Sequence, residues 1–210
     1  MIESGSVKVK EIKMKPAISS AAPLILASTS RYRAELLGRL AVPFEVIPPA
    51  LDETPLPAET PAGLAQRLAA SKAQAVARQK PGRWVLGSDQ VPSLEGKVLG
   101  QPGNREAALA QLLACSGKSV MFYTAVALVA GDWCFDHLDT TIVRFRVLTH
   151  AEAGRYLDAE PAYDCAGSFK VEGLGISLFE AIETRDPTSL VGLPLIAVRR
   201  LLFEAGYFVP

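Results

Sequence analysis

Residues 24–33 contain the side chains that most directly suggest chemistry. They read Leu-Ile-Leu-Ala-Ser-Thr-Ser-Arg-Tyr-Arg, an apolar run followed by hydroxyls and guanidinium groups. Ser28 and its neighbours can donate hydroxyl hydrogen bonds, and a helix that begins near Arg31 presents unpaired backbone N–H groups with a favourable dipole. Arg33 adds charge-assisted donors. We therefore expect this segment to bind a phosphate, although an N-capped helix with a surface arginine would show the same residue types.

Three carboxylates further along the chain could act on a phosphate. Asp89 lies in Gly-Ser-Asp-Gln (87–90), directly after the apolar run 84–86, and we expect a turn to deliver it at the end of that strand, where α/β proteins commonly build sites. Asp52 and Glu53 lie in a proline-bounded loop. Two or three hard oxygen ligands are what Mg²⁺ or Mn²⁺ requires beside phosphates. A turn-forming aspartate and a solvated loop are the alternatives that the pattern leaves open.

Lys72 is the one lysine that the pattern places inside a long helix. Thr60 and Pro61 form a cap and first turn, and helical spacing continues to about Gln79. A lysine among alanines on such a helix usually serves solubility. Its functional alternative is a point charge on a phosphate.

The elements that must position these residues alternate between strands and helices. We expect strands at 24–28, 44–47, 84–86, 119–130 and 133–147. We expect helices at 31–41, 60–79, 104–117, 149–159 and 194–205. Gly131-Asp132 separates the two long strands, which indicates an antiparallel hairpin. The pattern therefore predicts an α/β protein with a mixed, partly antiparallel sheet and flanking helices.

Composition limits the class of protein. The chain has 210 residues, of which 49% are hydrophobic and 21% charged, enough for one large domain or two small lobes. Its formal net charge of zero does not suit a duplex nucleic-acid binder. The three cysteines lack Cys-x-x-Cys spacing and are expected to be reduced cytosolic thiols. Since no apolar run approaches the roughly 20 residues that span a bilayer, we expect a cytoplasmic protein without a membrane partner.

The first 22 residues differ from the rest of the chain. They carry several lysines on a mixed polar background and end in a run of small residues. Because termini are usually frayed unless docked, we expect residues 1–22 to be a flexible extension. The domain would then cover residues 23–210.

Six short motifs occur in order along residues 23–205. They are Leu-Ala-Ser-Thr-Ser-Arg-Tyr-Arg-Ala-Glu-Leu-Leu (26–37), Asp-Glu-Thr (52–54), Ser-Lys-Ala (71–73), Gly-Ser-Asp-Gln (87–90), Ser-Gly-Lys (116–118) and Ala-Gly-Ser-Phe-Lys-Val-Glu-Gly-Leu-Gly-Ile (166–176). In order and spacing they resemble the Maf family of nucleotide pyrophosphatases, and the fourth and sixth are similar to its subgroup acting on 7-methyl-GTP. The resemblance implies a two-lobed fold with a central cleft, a divalent cation (Mg²⁺ or Mn²⁺) and frequent homodimers. It also implies cleavage of a nucleoside triphosphate into the monophosphate and pyrophosphate.

The resemblance assigns residue roles position by position. Asp89 falls on the family's proton acceptor and, together with Glu53, on its metal site. Ser28, Arg33 and Lys72 fall on polar residues around the phosphates. These roles suit the chemistry, because charge that develops on phosphate oxygens needs cations and the attacking water needs a base. Asp89 would be that base, or a metal ligand that holds the water.

Base recognition can also be argued from the side chains. The resemblance places Tyr32, Gln90 and Glu172 at the positions that select the base. A glutamate can accept two hydrogen bonds from guanine N1–H and the 2-amino group, a donor pair that adenine lacks. Methylation at N7 makes the base cationic, so the Tyr32 ring attracts it through cation–π interaction and nearby carboxylates add Coulomb stabilisation. We expect Glu172 to select guanine and its pairing with Tyr32 to favour 7-methylguanine.

Two positions depart from the family pattern. Arg31 stands where the family usually has proline, and Gln101 where it usually has a lysine near the phosphates. Loss of that lysine weakens transition-state stabilisation unless Lys97, Arg105 or Lys170 replaces its charge. The leading hypothesis is a metal-dependent pyrophosphatase whose small-molecule substrate is 7-methyl-GTP or a related modified nucleotide. The alternative is a nucleotide-binding regulator of cell division or septum formation, with weak or no turnover.

Overall fold

The computed structural model describes residues 14–209 and shows a seven-stranded sheet with helices on both faces. The strands are β1 (Leu24–Ala27), β2 (Phe44–Val46), β3 (Val85–Leu94), β4 (Lys97–Val98), β5 (Ser119–Ala130), β6 (Trp133–Phe145) and β7 (Phe179–Glu183). The α-helices are α1 (Arg31–Gly38), α2 (Pro61–Ala77), α3 (Arg105–Cys115), α4 (His150–Ala159) and α5 (Leu195–Glu204). Strand order is β2-β1-β3-β5-β6-β7, with β4 paired to β3.

The sheet has a parallel part and an antiparallel part. Strand β1 runs parallel to β2 and β3, and the helices α1 and α2 lie in the connections that parallel pairing requires. Strands β3, β5, β6 and β7 are antiparallel to their neighbours. The predicted mixed α/β class is confirmed.

Three apolar cores divide the molecule into two lobes. Around the parallel strands, α2 covers one face of the sheet, while α1 and α5 cover the other around Leu26 and Trp84. A third core lies between α3, α4 and the far ends of the long strands, around Phe122 and Phe145. Strands β3, β5 and β6 extend from one lobe into the other, so the lobes are held on a common sheet.

One edge of β3 is left open between its two neighbours. Strand β1 pairs with β3 only as far as Gly87, and β4 pairs only with Ser93 and Leu94. In the part of the chain that the structure describes, residues 88–91 have no strand partner on that edge, although β5 pairs with them on the other. The result is a notch beyond the carboxyl end of β1, where α/β sheets commonly place ligands.

The expected turn at Gly87 is wrong, because residues 87–90 lie inside β3. Gly87 serves packing instead. A Cβ there would lie 2.7 Å from Ala73 N and closer still to the carbonyl oxygen of Ala69, both in α2. Only glycine lets the helix approach the strand this closely. Since Lys72 lies between those two alanines, the approach brings its side chain to β3.

Most of the other predicted elements occur with small changes at their ends. Asn104 caps α3, and Thr149 with Glu152 forms a complete capping box at α4. The Gly131-Asp132 hairpin joins β5 and β6 as predicted. Helix α1 ends at Gly38, earlier than expected, and Ala41 adopts a left-handed φ of 52° that cannot continue a helix.

Most of the predicted N-terminal extension (residues 1–22) lies outside the described residues, which begin at residue 14. Its last part makes contacts with the domain. The Pro16 carbonyl accepts a 2.7 Å hydrogen bond from Trp84 Nε1, and Lys15 Nζ lies 4.9 Å from the Trp133 ring centroid. Ile18 packs against the apolar core that includes Leu26, Trp84 and the buried side chains of α5. The predicted domain start at residue 23 stays a prediction.

Within residues 14–209, no helix combines the length and apolarity needed to cross a bilayer.

Candidate active site

A buried ion-pair cluster lies where α2 meets β3. Lys72 Nζ is 2.6 Å from Asp89 Oδ1 and 3.0 Å from Glu53 Oε1. Lys72 and Asp89 are only 6% and 7% exposed, whereas Glu53 reaches in from an exposed loop. The structure therefore brings together three of the residues that were predicted to handle the phosphates and metal.

Burial and charge compete at Asp89. Burial raises the pKa of its carboxyl group, while the Lys72 ammonium and the Arg33 guanidinium oppose that shift. At Arg33, burial lowers the pKa of the guanidinium group, and the carboxylates of Asp89 and Glu53 oppose that decrease. Arg33 thus lies within Coulombic reach of the cluster.

A backbone carbonyl fixes the orientation of Arg33. Its Nε donates a 2.9 Å hydrogen bond to the Gly192 carbonyl, which also accepts a 2.9 Å bond from Ser88 Oγ. Gly192 has φ 108°, and a Cβ there would lie 3.4 Å from Arg33 Nε. This support was not predicted, because its only local signal in the sequence is a glycine shortly before Pro194.

The loop that carries Glu53 is tied to α2. Arg67 Nε and Nη2 donate to the two Glu59 carboxylate oxygens at 2.6 and 2.9 Å, and Nη2 also donates to the Thr54 carbonyl at 3.1 Å. Hydrogen bonds from Arg67 and from the Leu56 N–H lower the pKa of Glu59 to about 2. No sequence pattern predicts this clamp, because ion pairs eight residues apart have no distinctive spacing.

On the opposite face of the sheet lies an open cleft of about 730 Å³. Its lining residues come from the start of α1, from β3 and β5, and from two loops of the second half of the chain. They are Thr29, Ser30, Arg31, Tyr32, Arg33, Gln90, Gln101, Phe122, Asp164, Cys165, Ala166, Phe169, Lys170, Val171, Glu172, Leu190, Val191 and Gly192. The three predicted base-selecting residues all lie here, in a cleft whose volume suits a nucleoside.

Gln90 faces this cleft because it follows Asp89 in an extended strand, where successive side chains point to opposite faces. Its Nε2 donates to the Ser189 carbonyl at 2.8 Å and to Thr124 Oγ1 at 3.0 Å. The two amide hydrogens are thus engaged by the protein. Only the carbonyl oxygen can accept a hydrogen bond from a base.

Of the three cations considered as substitutes for the family lysine, Lys170 is the one that lines the cleft with Gln101. Its Nζ lies 3.6 Å from Asp164 Oδ1. Arg105 is directed elsewhere, because it pairs with Asp158 at 2.7 Å. Lys97 lies on the exposed hairpin strand β4.

Ser28 follows β1 and shapes the turn that leads into α1. It is buried, and its Oγ accepts a 3.1 Å hydrogen bond from Ser30 N, which shapes the turn into α1. Ser30 in turn caps the helix by accepting from Arg33 N. The Ser28 hydroxyl can still donate its own proton, so its predicted contact with phosphate stays a prediction.

The notch in the sheet connects the two groups of residues. Asp89 points towards α2 and Gln90 towards the cleft, and the unpaired edge of β3 lies between them. Arg33 lines the cleft and also interacts electrostatically with the carboxylates of the ion-pair cluster. A ligand with a flat base and an anionic tail can therefore place the base in the cleft and lead the tail around this edge to Lys72.

The donor set at the cluster suits a metal that is shared with a ligand. Glu53 and Asp89 contact the same ammonium, so their hard oxygen donors lie within a few ångströms of each other. Among residues 14–209, there is no group of three or more His, Cys, Asp or Glu side chains that would hold a cation alone. Mg²⁺ commonly takes one or two carboxylates and completes its shell with water and substrate phosphates.

Comparison with known proteins supports the resemblance found in the sequence. The profile of the family described as "Maf-like protein" matches residues 23–205. A relative from Xanthomonas oryzae pv. oryzae is 60% identical over 187 residues, which cover 89% of this chain and 98% of the relative. One from Polaromonas sp. is 56% identical over 186 residues (88% and 85% covered), and one from Burkholderia thailandensis is 52% identical over 199 residues (92% and 93% covered). All three are named 7-methyl-GTP pyrophosphatase. With a match across most of its length and relatives this similar, the chain belongs to the Maf-like protein family.

Proposed function

We propose that this chain hydrolyses 7-methyl-GTP, or a related modified nucleotide, to the nucleoside monophosphate and pyrophosphate. The observation that carries the proposal is the Lys72, Asp89 and Glu53 cluster on one face of β3, with a cleft of nucleoside size on the other face beside the notch. The names of the relatives point to the same substrate.

The phosphates would lie along the cations. Arg33 is held by the Gly192 carbonyl and Lys72 by burial against β3, so both charges are oriented before the substrate arrives. Such preorganised charge stabilises the negative charge that develops on phosphate oxygens during transfer. Ser28 adds a hydroxyl donor at the end of β1.

The reaction is attack of water on the α-phosphorus. A new bond forms between the water oxygen and phosphorus, and the bond from phosphorus to the bridging oxygen breaks, so that pyrophosphate leaves with the electron pair. Asp89 takes the water proton, or orients the water as a metal ligand. Burial supports the first role, because it raises the pKa of Asp89 and makes the carboxylate a better proton acceptor.

A divalent cation, Mg²⁺ or Mn²⁺, would be held by Glu53 and Asp89 with phosphate oxygens and water. It would neutralise phosphate charge and polarise the phosphoryl group. Lys72 bridges the two carboxylates, so the ammonium keeps them close to each other. The Arg67 and Glu59 clamp holds the Glu53 loop in reach.

The base would bind in the cleft between Tyr32 and Glu172. Glu172 would accept from guanine N1–H and the 2-amino group, and Gln90 would offer its carbonyl oxygen. Phe122, Phe169 and Leu190 supply an apolar wall. The Tyr32 ring and the carboxylate both attract a base that carries a positive charge at N7.

The setting of the enzyme is also a proposal. We infer a cytoplasmic homodimer without a duplex nucleic-acid partner, which rests on the family resemblance and on the net charge of zero. Sedimentation of the purified protein tests the oligomeric state, since a monomer at micromolar concentration would contradict it.

Incubation of the purified protein with a panel of nucleotides and Mg²⁺ or Mn²⁺ tests the activity. We expect pyrophosphate release from 7-methyl-GTP and its loss with chelator or in Asp89→Asn. No pyrophosphate from any nucleotide would refute the proposal. Tight nucleotide binding without turnover, together with turnover gained in Gln101→Lys, would instead support a nucleotide-binding regulator.

A further inference from the structure

The Arg31 guanidinium lies over the ring of Tyr32, the residue that is expected to contact the base. Its guanidinium carbon lies 4.8 Å from the centroid of the Tyr32 ring, and its Nη2 lies 3.2 Å from the Tyr32 hydroxyl oxygen, to which it donates. Both residues line the cleft together with Glu172. The protein therefore carries a cation of its own at the aromatic ring where a cationic base would bind.

The arginine and an N7-methylated guanine have the same electrostatic needs. Each is a flat cation that gains from an aromatic face and from a nearby carboxylate. Arg31 already has both kinds of partner in the cleft: it donates to the Tyr32 hydroxyl, and Glu172 lines the same cleft with the opposite charge. The hydrogen bond to Tyr32, and to a smaller extent the charges of Glu35 and Glu172, raise the pKa of Arg31. When a cationic base arrives, it must share or take over these partners, and the two like charges repel each other.

A neutral guanine meets no such repulsion. It can stack beside the guanidinium or receive hydrogen bonds from it at its acceptor atoms. Arg31 therefore weakens binding of the cationic base through repulsion but does not repel the neutral base in the same cleft.

We propose that Arg31 is a specificity-determining residue that competes with the methylated base for Tyr32 and Glu172, and so reduces the preference for cationic over neutral guanine nucleotides. This inference rests on the proposed function, because it assumes that guanine nucleotides bind in this cleft. It gives a role to the position where the family usually has proline.

The alternative role for Arg31 is phosphate binding, because it is the first residue of α1 and carries a cation. In that role it would act on every nucleoside triphosphate alike. The ratio of kcat/KM for 7-methyl-GTP to that for GTP separates the two roles, since a phosphate contact cancels from the ratio.

The variants Arg31→Ala and Arg31→Lys test the proposal, with Arg39→Ala as a control because Arg39 follows the same helix outside the cleft. We expect Arg31→Ala to raise the ratio about two- to fivefold, the range of an exposed cation–π contact. Arg31→Lys keeps the charge and should stay between the wild type and Arg31→Ala, and Arg39→Ala should match the wild type. A ratio that is unchanged or lower in Arg31→Ala would overturn the proposal.

Binding of nucleosides distinguishes this inference from the proposed function. Guanosine and 7-methylguanosine have no phosphates, so calorimetry measures the base contacts without turnover. We expect Arg31→Ala to strengthen binding of 7-methylguanosine relative to guanosine by the same factor. An unchanged preference would overturn the inference even if the enzyme hydrolyses 7-methyl-GTP. Absence of nucleoside binding to the wild type would overturn it as well, whereas the proposed function fails only if no nucleotide is hydrolysed.

Discussion

The Lys72 ammonium and the Asp89 carboxylate form a 2.6 Å ion pair between α2 and β3. Both side chains are almost fully buried, so each charge depends on the other for stabilisation. Glu53 adds a second negative charge beside Lys72, and Arg33 adds a second positive charge that favours the Asp89 carboxylate. The pair exists because Gly87 allows the helix to contact the strand two residues before Asp89. The same packing contact that stabilises the first lobe therefore also positions the group that is proposed to activate water.

Asp89→Asn should abolish most of the hydrolysis of 7-methyl-GTP. The amide cannot accept the water proton and is a weaker metal ligand, so we expect kcat to fall about 10²- to 10⁴-fold. Pyrophosphate release under saturating substrate measures this. Asp136→Asn is the matched control, because Asp136 is an exposed carboxylate on β6 that lies outside the cleft. An equal loss of activity in both variants would contradict a specific role for Asp89.

Gly87→Ala should destabilise the protein and disturb the ion pair. The added methyl group would collide with the backbone of α2, which must move away, and overpacking of this kind costs about 1–3 kcal/mol. Urea unfolding followed by circular dichroism measures the loss of stability. Gly38→Ala is the control, because a Cβ at Gly38 meets nothing within 4 Å and alanine favours the helix. If Gly87→Ala were as stable as Gly38→Ala, the close approach of α2 would not be required.

Structural features that depend on residues close together in the sequence were predicted correctly. The hairpin at Gly131-Asp132 and the capping box of Thr149 and Glu152 are local signals, and both occur in the structure. The turn at Gly87 was wrong because a glycine needed for packing against a helix looks the same in sequence as one needed for a turn. Only the contact with α2, formed after folding, distinguishes them.

The same limit applies to the candidate site. Family motifs identified the residues that the structure gathers around β3, since their order along the chain is specific. The support of Arg33 by the Gly192 carbonyl joins residues 159 positions apart, and no spacing indicates such a contact. Likewise, the sequence offered Lys97, Arg105 and Lys170 as equal candidates, and the position of their elements in space decides between them.

Glu59→Gln should make the stability of the protein less dependent on acid pH. The pKa of Glu59 is lowered from its ordinary 4.5 to about 2, so the folded protein binds fewer protons at this group than the unfolded chain does. Its stabilising contribution is therefore complete above pH 4.5 and is lost as the pH falls towards about 2. Urea unfolding at about pH 6 and about pH 3 should show a smaller difference for the variant than for the wild type.

Glu59→Gln should also slow turnover, because the loop that carries Glu53 loses part of its anchor to Arg67. Loss of such supporting contacts typically costs about tenfold in activity. Glu180→Gln is the control, an exposed glutamate on β7. A variant with full activity and an unchanged pH dependence would show that the clamp is unimportant.

Glu172→Gln should reduce the preference for 7-methyl-GTP over GTP. The neutral amide loses the Coulomb attraction to the cationic base, and a hydrogen bond to a charged group is worth roughly 1 kcal/mol more than a neutral one. We expect the ratio of the two kcat/KM values to fall about fivefold to tenfold. This change is opposite in sign to the one expected for Arg31→Ala. If the ratio stayed the same, the carboxylate would not be the group that recognises the methylated base.

Lys170→Met should impair hydrolysis more than the loss of a surface lysine would. Lys170 and Gln101 line the same cleft, and we expect Lys170 to supply the positive charge that the family usually places at residue 101. Loss of a cation that contacts the phosphates lowers kcat/KM about 10²-fold, and we expect a loss of this size if Lys170 has that role. Lys97→Met is the control, since Lys97 lies on the exposed strand β4.

The decisive measurement is the double variant Lys170→Met with Gln101→Lys. If the two positions share one electrostatic role, the new lysine restores much of the lost kcat/KM, whereas a double variant as slow as Lys170→Met alone would show that they act independently.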